Sequence, residues 1–332
     1  MRIGITYDLK TDPPDDRRAD LPDDLQEEYD SPDTIEGIAA VLRGLGHEAV
    51  KLGDGRELLQ RLLADPPDFV FNIAEGQGVS RCREARVPAV LEMLGIPYSG
   101  SDPLTLAATL DKDCARRLVA SAGVPVPRGL VLAPEDAVEA PGLPWPLLVK
   151  PAWEGSSKGI RGQCLVRSPD ALPEAVAALR RDHRQPILVE EFIDGDELTV
   201  GLVGDDPPEV LGVMRVLPNR TDAPFIYSLE VKRDYRRQVR YECPARLPGA
   251  ATAAVERAAL AAWQVLGCRD VARVDFRLRG GVPYFLEVNP LPGLNRESSD
   301  LVILAGLRGR SYPWLIERIL GAALRRVRDE RG

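Results

Sequence analysis

Ala272-Arg273-Val274-Asp275-Phe276-Arg277-Leu278 and Tyr284-Phe285-Leu286-Glu287-Val288-Asn289 are two runs in which apolar and polar residues alternate. This alternation is typical of half-buried strands, and Gly280-Gly281 between the runs indicates a hairpin turn. Side chains alternate faces along a strand. We therefore expect one apolar face, formed by Val274, Phe276, Leu278, Leu286 and Val288. The opposite face is expected to gather the polar side chains Arg273, Asp275, Glu287 and Asn289.

The polar face of this hairpin predicts a cation site. Asp275 can lie opposite Glu287 only across a three-residue loop or a bulge, because a two-residue turn alone would place them on opposite faces. Two carboxylates beside the amide of Asn289 are costly to bury unless a cation compensates their charge. Hard oxygen ligands of this kind suit Mg²⁺ that keeps waters and bridges nucleotide phosphates. A solvated polar face without a ligand is the alternative that this segment leaves open.

Composition limits the classes of function. The chain has 332 residues, which suggests two or three domains. Its 44% hydrophobic and 28% charged residues are typical of a soluble globular protein. The net charge of −8 argues against nucleic acid as a partner. Without a signal segment or an apolar run that could span a bilayer, we expect a cytoplasmic protein with no membrane partner.

Cysteine and histidine usage argues against two kinds of site. The five cysteines are scattered and show no CxxC spacing, which predicts structural thiols in a reducing compartment and no zinc site. The two histidines, His47 and His183, belong to no motif, which argues against a histidine-based triad. Chemistry is therefore expected to depend on carboxylates, lysines, arginines and metal.

The first hundred or so residues predict a doubly wound parallel sheet. Met1 to Tyr7, His47 to Leu52 and Phe69 to Ile73 have the composition of short strands, and Thr34 to Gly44 has a helical apolar face. Strands that alternate with helices are typical of parallel sheets. The acidic, proline-rich stretch from Asp8 to Asp33 has no periodicity. It predicts a solvated loop, or alternatively a lid or a site for a cationic group.

A strand from Leu147 to Lys150 leads into a loop of glycines and serines, Pro151 to Gly159, with lysines on both sides. Such a loop offers backbone N–H groups and positive charge to phosphates. It matches neither the Walker A spacing nor GxGxxG, so an ordinary turn is the alternative. A helix from Asp170 to Arg181 and a strand from Ile187 to Phe192 are expected to follow.

Four segments in order make the chain resemble the ATP-grasp superfamily and, within it, the D-alanine–D-alanine ligase group. They are Leu94 to Ser101 with Leu110-Asp111-Lys112, Val149-Lys150-Pro151 through Gly155-Ser156-Ser157, Val189 to Ile193 with Glu197, and Arg273-Val274-Asp275 with Glu287 through Gly293. The likeness covers nearly the whole chain. It implies a three-domain α/β fold, with an N-terminal doubly wound parallel-sheet domain (1–103) and two α+β domains (104–192 and 193–332) that enclose the nucleotide.

The resemblance also implies ATP as the nucleotide, with Mg²⁺ or Mn²⁺, and a role for particular residues. The implied ATP-binding residues are Lys112, Lys150, Ser157, Glu190, Glu191, Phe192, Ile193, Glu197 and Lys232. The implied metal ligands are Asp275, Glu287 and Asn289. The implied catalytic residues are Arg273, Gly293 and Ser156, and the implied substrate-binding residues are Ser298, Glu75 and Arg233.

Several positions depart from the family pattern. The family's Gly-Gly-x-Ser-x-Glu turn is absent, and Glu27 or Glu28 is at best a weak replacement for its glutamate. Glu75 stands where the resemblance leads us to expect a histidine, and Arg233 where it leads us to expect a tyrosine. These departures predict the family mechanism with a first substrate other than D-alanine, such as one with an added amine or guanidine.

The resemblance thus implies a carboxylate–amine ligase that acts through an acyl phosphate on small-molecule carboxylate and amine substrates. It also implies a homodimer and a closing lid from Asp222 to Tyr241. Three alternatives stay open: a genuine D-alanine–D-alanine ligase, a nucleotide-binding scaffold without ligase activity, and a ligase whose acceptor is a thiol, a hydroxyl or a carrier-protein amine.

Overall fold

The computed structural model describes residues 1–11, 22–204, 206–220 and 224–331. Its first sheet is parallel, as the sequence predicts. Its strands β1 (Arg2–Thr6), β2 (Glu48–Gly53) and β3 (Phe69–Asn72) lie in the order β2-β1-β3. The helices that follow these strands are α1 (Pro32–Gly44), α2 (Gly55–Ala64) and α3 (Arg86–Met93). Phe71 packs with α1 in one cluster and Val70 with α2 and α3 in another, so both faces of the sheet are buried.

A second, antiparallel sheet carries the strand and loop that were expected to meet phosphates. Its strands β4 (Gly129–Leu132), β5 (Leu147–Pro151), β6 (Leu165–Val166) and β7 (Ile187–Glu191) lie in the order β4-β7-β5-β6. Helix α6 (Leu172–His183) covers it, packing Val176 and Leu179 on Val149 and Val189. The helix begins later than predicted because Pro169–Ala171 forms a 3₁₀ turn before it.

The third sheet is antiparallel and is buried on both faces. Its strands β8 (Asp196–Gly204), β9 (Glu209–Pro218), β10 (Val239–Glu242), β11 (Asp270–Arg279) and β12 (Val282–Asn289) lie in the order β10-β9-β8-β11-β12. Helix α9 (Gly249–Leu266) packs on one face, and α10 (Asp300–Leu307) and α11 (Tyr312–Arg331) pack on the other. Two short helices, α7 (Leu229–Arg233) and α8 (Tyr235–Gln238), precede β10.

Helices α4 (Pro103–Leu110) and α5 (Lys112–Ser121) connect the first sheet to the second. Ala115 and Val119 of α5 pack in the cluster of the third sheet, beside α9. The boundaries predicted at residues 103 and 192 fall between the three sheets and stay predictions. Among the described residues, no helix combines the length and the apolar character needed to cross a bilayer.

The hairpin of β11 and β12 contains a bulge, one of the two connections that the sequence allowed. Asp275 pairs with Glu287, and the register then shifts so that Phe276 pairs with Phe285. Phe285 enters the core, where its ring meets Phe276 edge-on at 6.1 Å. Leu286 is the extra residue and lines a cleft instead. The expectation that Leu286 shares the apolar face was therefore wrong, because the bulge turns it to the polar side.

Candidate active site

A cleft of about 680 Å³ lies between the second and third sheets. It brings together most of the predicted ATP-binding residues with two predicted metal ligands: Lys150, Ser157, Glu190, Glu191, Phe192, Ile193, Glu197, Lys232, Asp275 and Glu287. These residues come from strands β5, β7, β8, β11 and β12, from the loop after β5, from the segment between β7 and β8, and from α7. Strands of both sheets, together with loop segments and α7, thus line the cleft.

Two ion pairs within the protein line this cleft. The Lys150 Nζ lies 2.6 Å from the Glu190 Oε1, and both side chains are almost fully buried. The Glu197 Oε2 lies 2.6 Å from the Nε of Arg277, whose guanidinium stacks over the Phe192 ring at 5.0 Å. Arg277 was not predicted, although the alternation that identified Arg273 and Asp275 extends to it. Glu197 therefore enters the cleft as part of an ion pair.

The far wall of the cleft is formed by the segment around Lys232. The Lys232 Nζ lies 5.1 Å from the centre of the Tyr227 ring. The Ser157 hydroxyl donates to the Tyr227 carbonyl at 3.1 Å, which joins this segment to the loop after β5. Ser156 and Ser157 have left-handed backbones, with φ of 49° and 59°. Such conformations are strained for residues other than glycine and occur most often at ligand sites.

Asp275 and Glu287 face each other at the inner end of the cleft. Arg273 lies beside both, with its Nη2 at 2.8 Å from Asp275 and 3.6 Å from Glu287. Burial raises the pKa of Asp275 to about 6 despite this arginine. Burial also opposes ionisation of Glu287, but Lys112, Lys232 and Arg273 hold its pKa well below the ordinary value. The two carboxylates therefore differ in how firmly they stay ionised.

Asn289 completes the predicted metal set, and the three side chains fit a hard cation. Its amide lies 3.5 Å from both Asp275 and Glu287. An amide oxygen and nitrogen exchange places by a flip, so the oxygen can join the two carboxylates. The described residues contain no group of three or more His, Cys, Asp or Glu side chains that could hold a metal. A site with so few protein ligands suits a cation that completes its coordination with water and phosphate oxygens.

Lys112 lines a second cavity of about 560 Å³, which shares Glu287 with the cleft. Its Nζ donates to Glu287 at 2.9 Å and to the Glu154 carbonyl. Burial opposes its charge, but Glu287 more than compensates and raises the pKa of Lys112. The three predicted catalytic residues, Arg273, Gly293 and Ser156, line this second cavity. A substrate in this cavity would therefore lie beside both the predicted catalytic residues and Glu287 of the carboxylate pair.

Comparisons with known proteins agree with this geometry. The family model described as "D-ala D-ala ligase C-terminus" matches residues 118–321. A D-alanine–D-alanine ligase of Gluconobacter oxydans is 37% identical over 299 residues, covering 88% of this chain and 94% of the relative. The chain belongs to the D-alanine–D-alanine ligase family. The recognised family and the ligase class, an ATP-dependent, ADP-forming enzyme, are confirmed.

Two further likenesses agree with this assignment. An uncharacterised protein of Sinorhizobium fredii is 36% identical over 301 residues, covering 88% of this chain and 87% of that protein. The crystal structure of D-alanine–D-alanine ligase from Bacillus anthracis complexed with ATP matches with a TM-score of 0.75 at 25% identity, over 100% of both chains. The predicted ATP-grasp architecture is confirmed. The D-alanine–D-alanine ligase family uses ATP and a divalent metal.

The acidic stretch of this family member pairs with cations of the chain itself. Glu28 accepts from Arg83 at 2.7 Å and lies 3.2 Å from Lys158. Glu154 accepts from the same two cations, at 3.1 Å and 2.5 Å. All four side chains are nearly fully buried. Arg83 and Lys158 were not predicted as site residues, and together they fix the loop from Glu154 to Gly159.

Two predicted substrate residues lie further out. Arg233 pairs with Asp23 at 2.6 Å and with Glu27 at 2.7 Å, which ties α7 to the acidic stretch. The Ser298 hydroxyl donates to Asn295 at 3.0 Å and lines an open pocket of about 1030 Å³. Residues 12–21 of the acidic stretch lie outside the described residues, so its lid role is judged only on the rest. In the described part of the acidic stretch, carboxylates pair with arginine and lysine side chains of the protein itself.

Proposed function

We propose that this ligase joins a carboxylate to an amine through an acyl phosphate, and that its first substrate is not D-alanine. The observation that carries the reaction type is the carboxylate pair Asp275 and Glu287, with Lys112 and Arg273 in contact with it. This group lies where the inter-sheet cleft meets the second cavity. A phosphoryl donor on one side and a carboxylate on the other would therefore meet at these residues.

The cations of the cleft support phosphoryl transfer. A carboxylate is a poor electrophile, so ATP would transfer its γ-phosphoryl group to form an acyl phosphate. Lys112, Lys150 and Lys232 would neutralise the charge that develops during this transfer. Mg²⁺, or Mn²⁺ in its place, would be held by Asp275, Glu287 and Asn289 and would supply further neutralisation of the phosphates.

The second half-reaction would take place in the second cavity. An amine would attack the acyl carbon to form the C–N bond, and the C–O bond to the phosphate would break, releasing inorganic phosphate and the amine's proton. Arg273 with the Gly293 N–H would stabilise the oxyanion formed on the way, each donor contributing about 3–4 kcal/mol. Arg273 is held in place by Asp275 at 2.8 Å and by Asp300 at 3.5 Å. A Cβ at position 293 would lie 2.9 Å from the Ser299 hydroxyl, so glycine lets this backbone pass close by. Asp300 is a positioning residue that the sequence analysis missed.

Water must be excluded, because it would hydrolyse the acyl phosphate. Of the predicted lid, Asp222 to Tyr241, residues 222 and 223 lie outside the described part of the chain. Residues 224–241 carry Tyr227, Lys232 and Arg233 and contact the acidic stretch, the loop after β5 and Asp300. We infer that this segment is a lid that closes over the substrates. The predicted cytoplasmic location, the homodimer and the domain boundaries stay predictions.

Lys150→Met tests the nucleotide end of this proposal. The substitution removes a buried point charge but keeps most of the apolar stem, so affinity for ATP should fall about tenfold or more. Calorimetric titration with a non-hydrolysable ATP analogue measures the change. Lys51→Met, at a half-exposed lysine paired with Glu36, is the control and should leave affinity unchanged. Equal affinities in wild type and Lys150→Met would remove Lys150 from the nucleotide site.

The substrate proposal is tested with D-alanine as the sole amino acid. Glu75 supplies an acceptor where the family pattern has a histidine, and Arg233 is engaged by Asp23 and Glu27. A site built from buried polar groups rejects a ligand that leaves them unpaired. We therefore expect D-alanine to be a poor substrate when product formation is followed by mass spectrometry. Robust D-alanyl-D-alanine synthesis at millimolar substrate would instead support the alternative that the protein is a genuine D-alanine–D-alanine ligase. Absence of ADP release with any amino-acid pair would support the scaffold alternative.

A further inference from the structure

Two glutamates of the second cavity are brought together by a tight turn. Glu75 follows β3, and Glu84 lies in the 3₁₀ helix Arg83–Ala85. Gly76 between them has φ of +79°, and a Cβ there would lie 2.5 Å from the Arg83 carbonyl oxygen. Only glycine allows this close approach. The turn therefore places Glu75 beside the helix that carries Glu84, and both side chains line the cavity.

Neither carboxylate has a bonding partner among the residues that the structure describes. Glu84 is only 7% exposed, and among the residues that the structure describes, no hydrogen-bond or ion-pair partner reaches Glu75 or Glu84. Buried carboxylates are nearly always paired or bonded, because an isolated buried charge is strongly unfavourable. A pair of unpartnered carboxylates that faces a cavity of about 560 Å³ indicates that a ligand supplies the missing partner.

The nearby cations are already engaged by other carboxylates. Arg83 binds Glu28 and Glu154, Lys112 binds Glu287, and Arg273 binds Asp275. Burial raises the pKa of Glu84 to about 8, even though Arg83 and Lys112 oppose the shift. Burial and repulsion from Glu84 and Glu28 raise the pKa of Glu75 well above its ordinary value. Burial and mutual repulsion thus disfavour the ionised pair, and a bound cation would stabilise it.

We propose that Glu75 and Glu84 bind a second cationic group, an ammonium or guanidinium, on the side chain of the carboxylate substrate. The proposal rests on the ligase function proposed above and specifies its substrate class. The same cavity is lined by Arg273 and Gly293, beside which the reacting carboxylate would lie. A single α-ammonium balances one of the two glutamates, and a basic side chain balances the other. Basic amino acids are therefore the preferred acyl donors.

The test uses two near-isosteric substrates, 2,3-diaminopropionate and 2-aminobutyrate, each in its D and L form. They differ by an ammonium in place of a methyl group. With ATP and Mg²⁺, the wild type should use the diamino acid with a kcat/KM about tenfold or more higher, because the neutral analogue leaves the carboxylates unpaired. Glu75→Gln and Glu84→Gln should each abolish this preference and leave the KM for ATP unchanged. Glu57→Gln, at an exposed glutamate of α2, should keep it.

The outcomes separate this inference from the proposed function. A loss of activity that is equal for both substrates in the two glutamine variants, or a wild-type preference for aminobutyrate, overturns the inference and leaves the ligase function standing. Absence of ADP release with every amino acid overturns the ligase function. In that case, calorimetry with diaminopropionate and a non-hydrolysable ATP analogue decides the inference: binding that Glu84→Gln weakens supports it, and absence of binding overturns it.

Discussion

Glu287→Gln is expected to lower ADP release by about two to three orders of magnitude, the usual effect of removing one group that stabilises developing charge. The carboxylate accepts from Lys112 at 2.9 Å and faces Asp275 across the hairpin. Its pKa is held below the ordinary value by Lys112, Lys232 and Arg273, although burial opposes this, so it is ionised at neutral pH. Glutamine keeps the shape of the side chain but removes the charge. Steady-state ADP release at saturating Mg²⁺ measures the effect.

The control for this prediction is Glu48→Gln, at an exposed glutamate of β2, which should retain wild-type turnover. Thermal unfolding should show that both variants still fold cooperatively. Near-wild-type turnover of Glu287→Gln with an unchanged dependence on Mg²⁺ concentration would remove Glu287 from the reacting centre. Recovery of turnover only at raised Mg²⁺ would instead identify the defect as weaker cation binding.

Local sequence patterns predicted the fold wherever a single strand or helix showed a periodic arrangement of apolar residues. The alternation in β11 and β12, together with the requirement for a three-residue loop or a bulge, located the hairpin and its carboxylates. The same alternation occurs in β8, at Leu198, Val200 and Leu202, and would have identified that strand too. Leu286 shows the limit of such patterns. A bulge reverses the face of each residue beyond it, and the sequence does not reveal at which residue the register shifts.

Contacts between distant segments could not be predicted in this way. Arg83 and Glu28 are 55 positions apart, and no periodicity relates them. Glu84 lies in a 3₁₀ turn, whose short length gives no pattern. The family resemblance supplied the residues of the inter-sheet cleft because they occur in motifs. It did not supply the partners that neutralise them, since these depend on how the acidic stretch packs against the loop after β5.

Arg83→Met is expected to destabilise the protein by about 3–5 kcal/mol, because it leaves buried carboxylates without their main partner. Arg83 is about 1% exposed and donates to Glu28 at 2.7 Å, to Glu154 at 3.1 Å and to the Trp153 carbonyl at 2.6 Å. Lys158 would remain as the single cation beside Glu28 and Glu154. Equilibrium unfolding in denaturant measures the loss.

A second variant decides whether the charge or the packing is responsible. Adding Glu28→Gln to Arg83→Met removes one of the stranded carboxylates, so the double variant should be more stable than Arg83→Met alone. Arg86→Met, three positions along at an exposed arginine, should leave stability within about 0.5 kcal/mol of wild type. If the double variant is instead less stable than Arg83→Met alone, lost packing of the long arginine stem dominates. The ion-pair network would then position the loop from Glu154 to Gly159 without providing its stability.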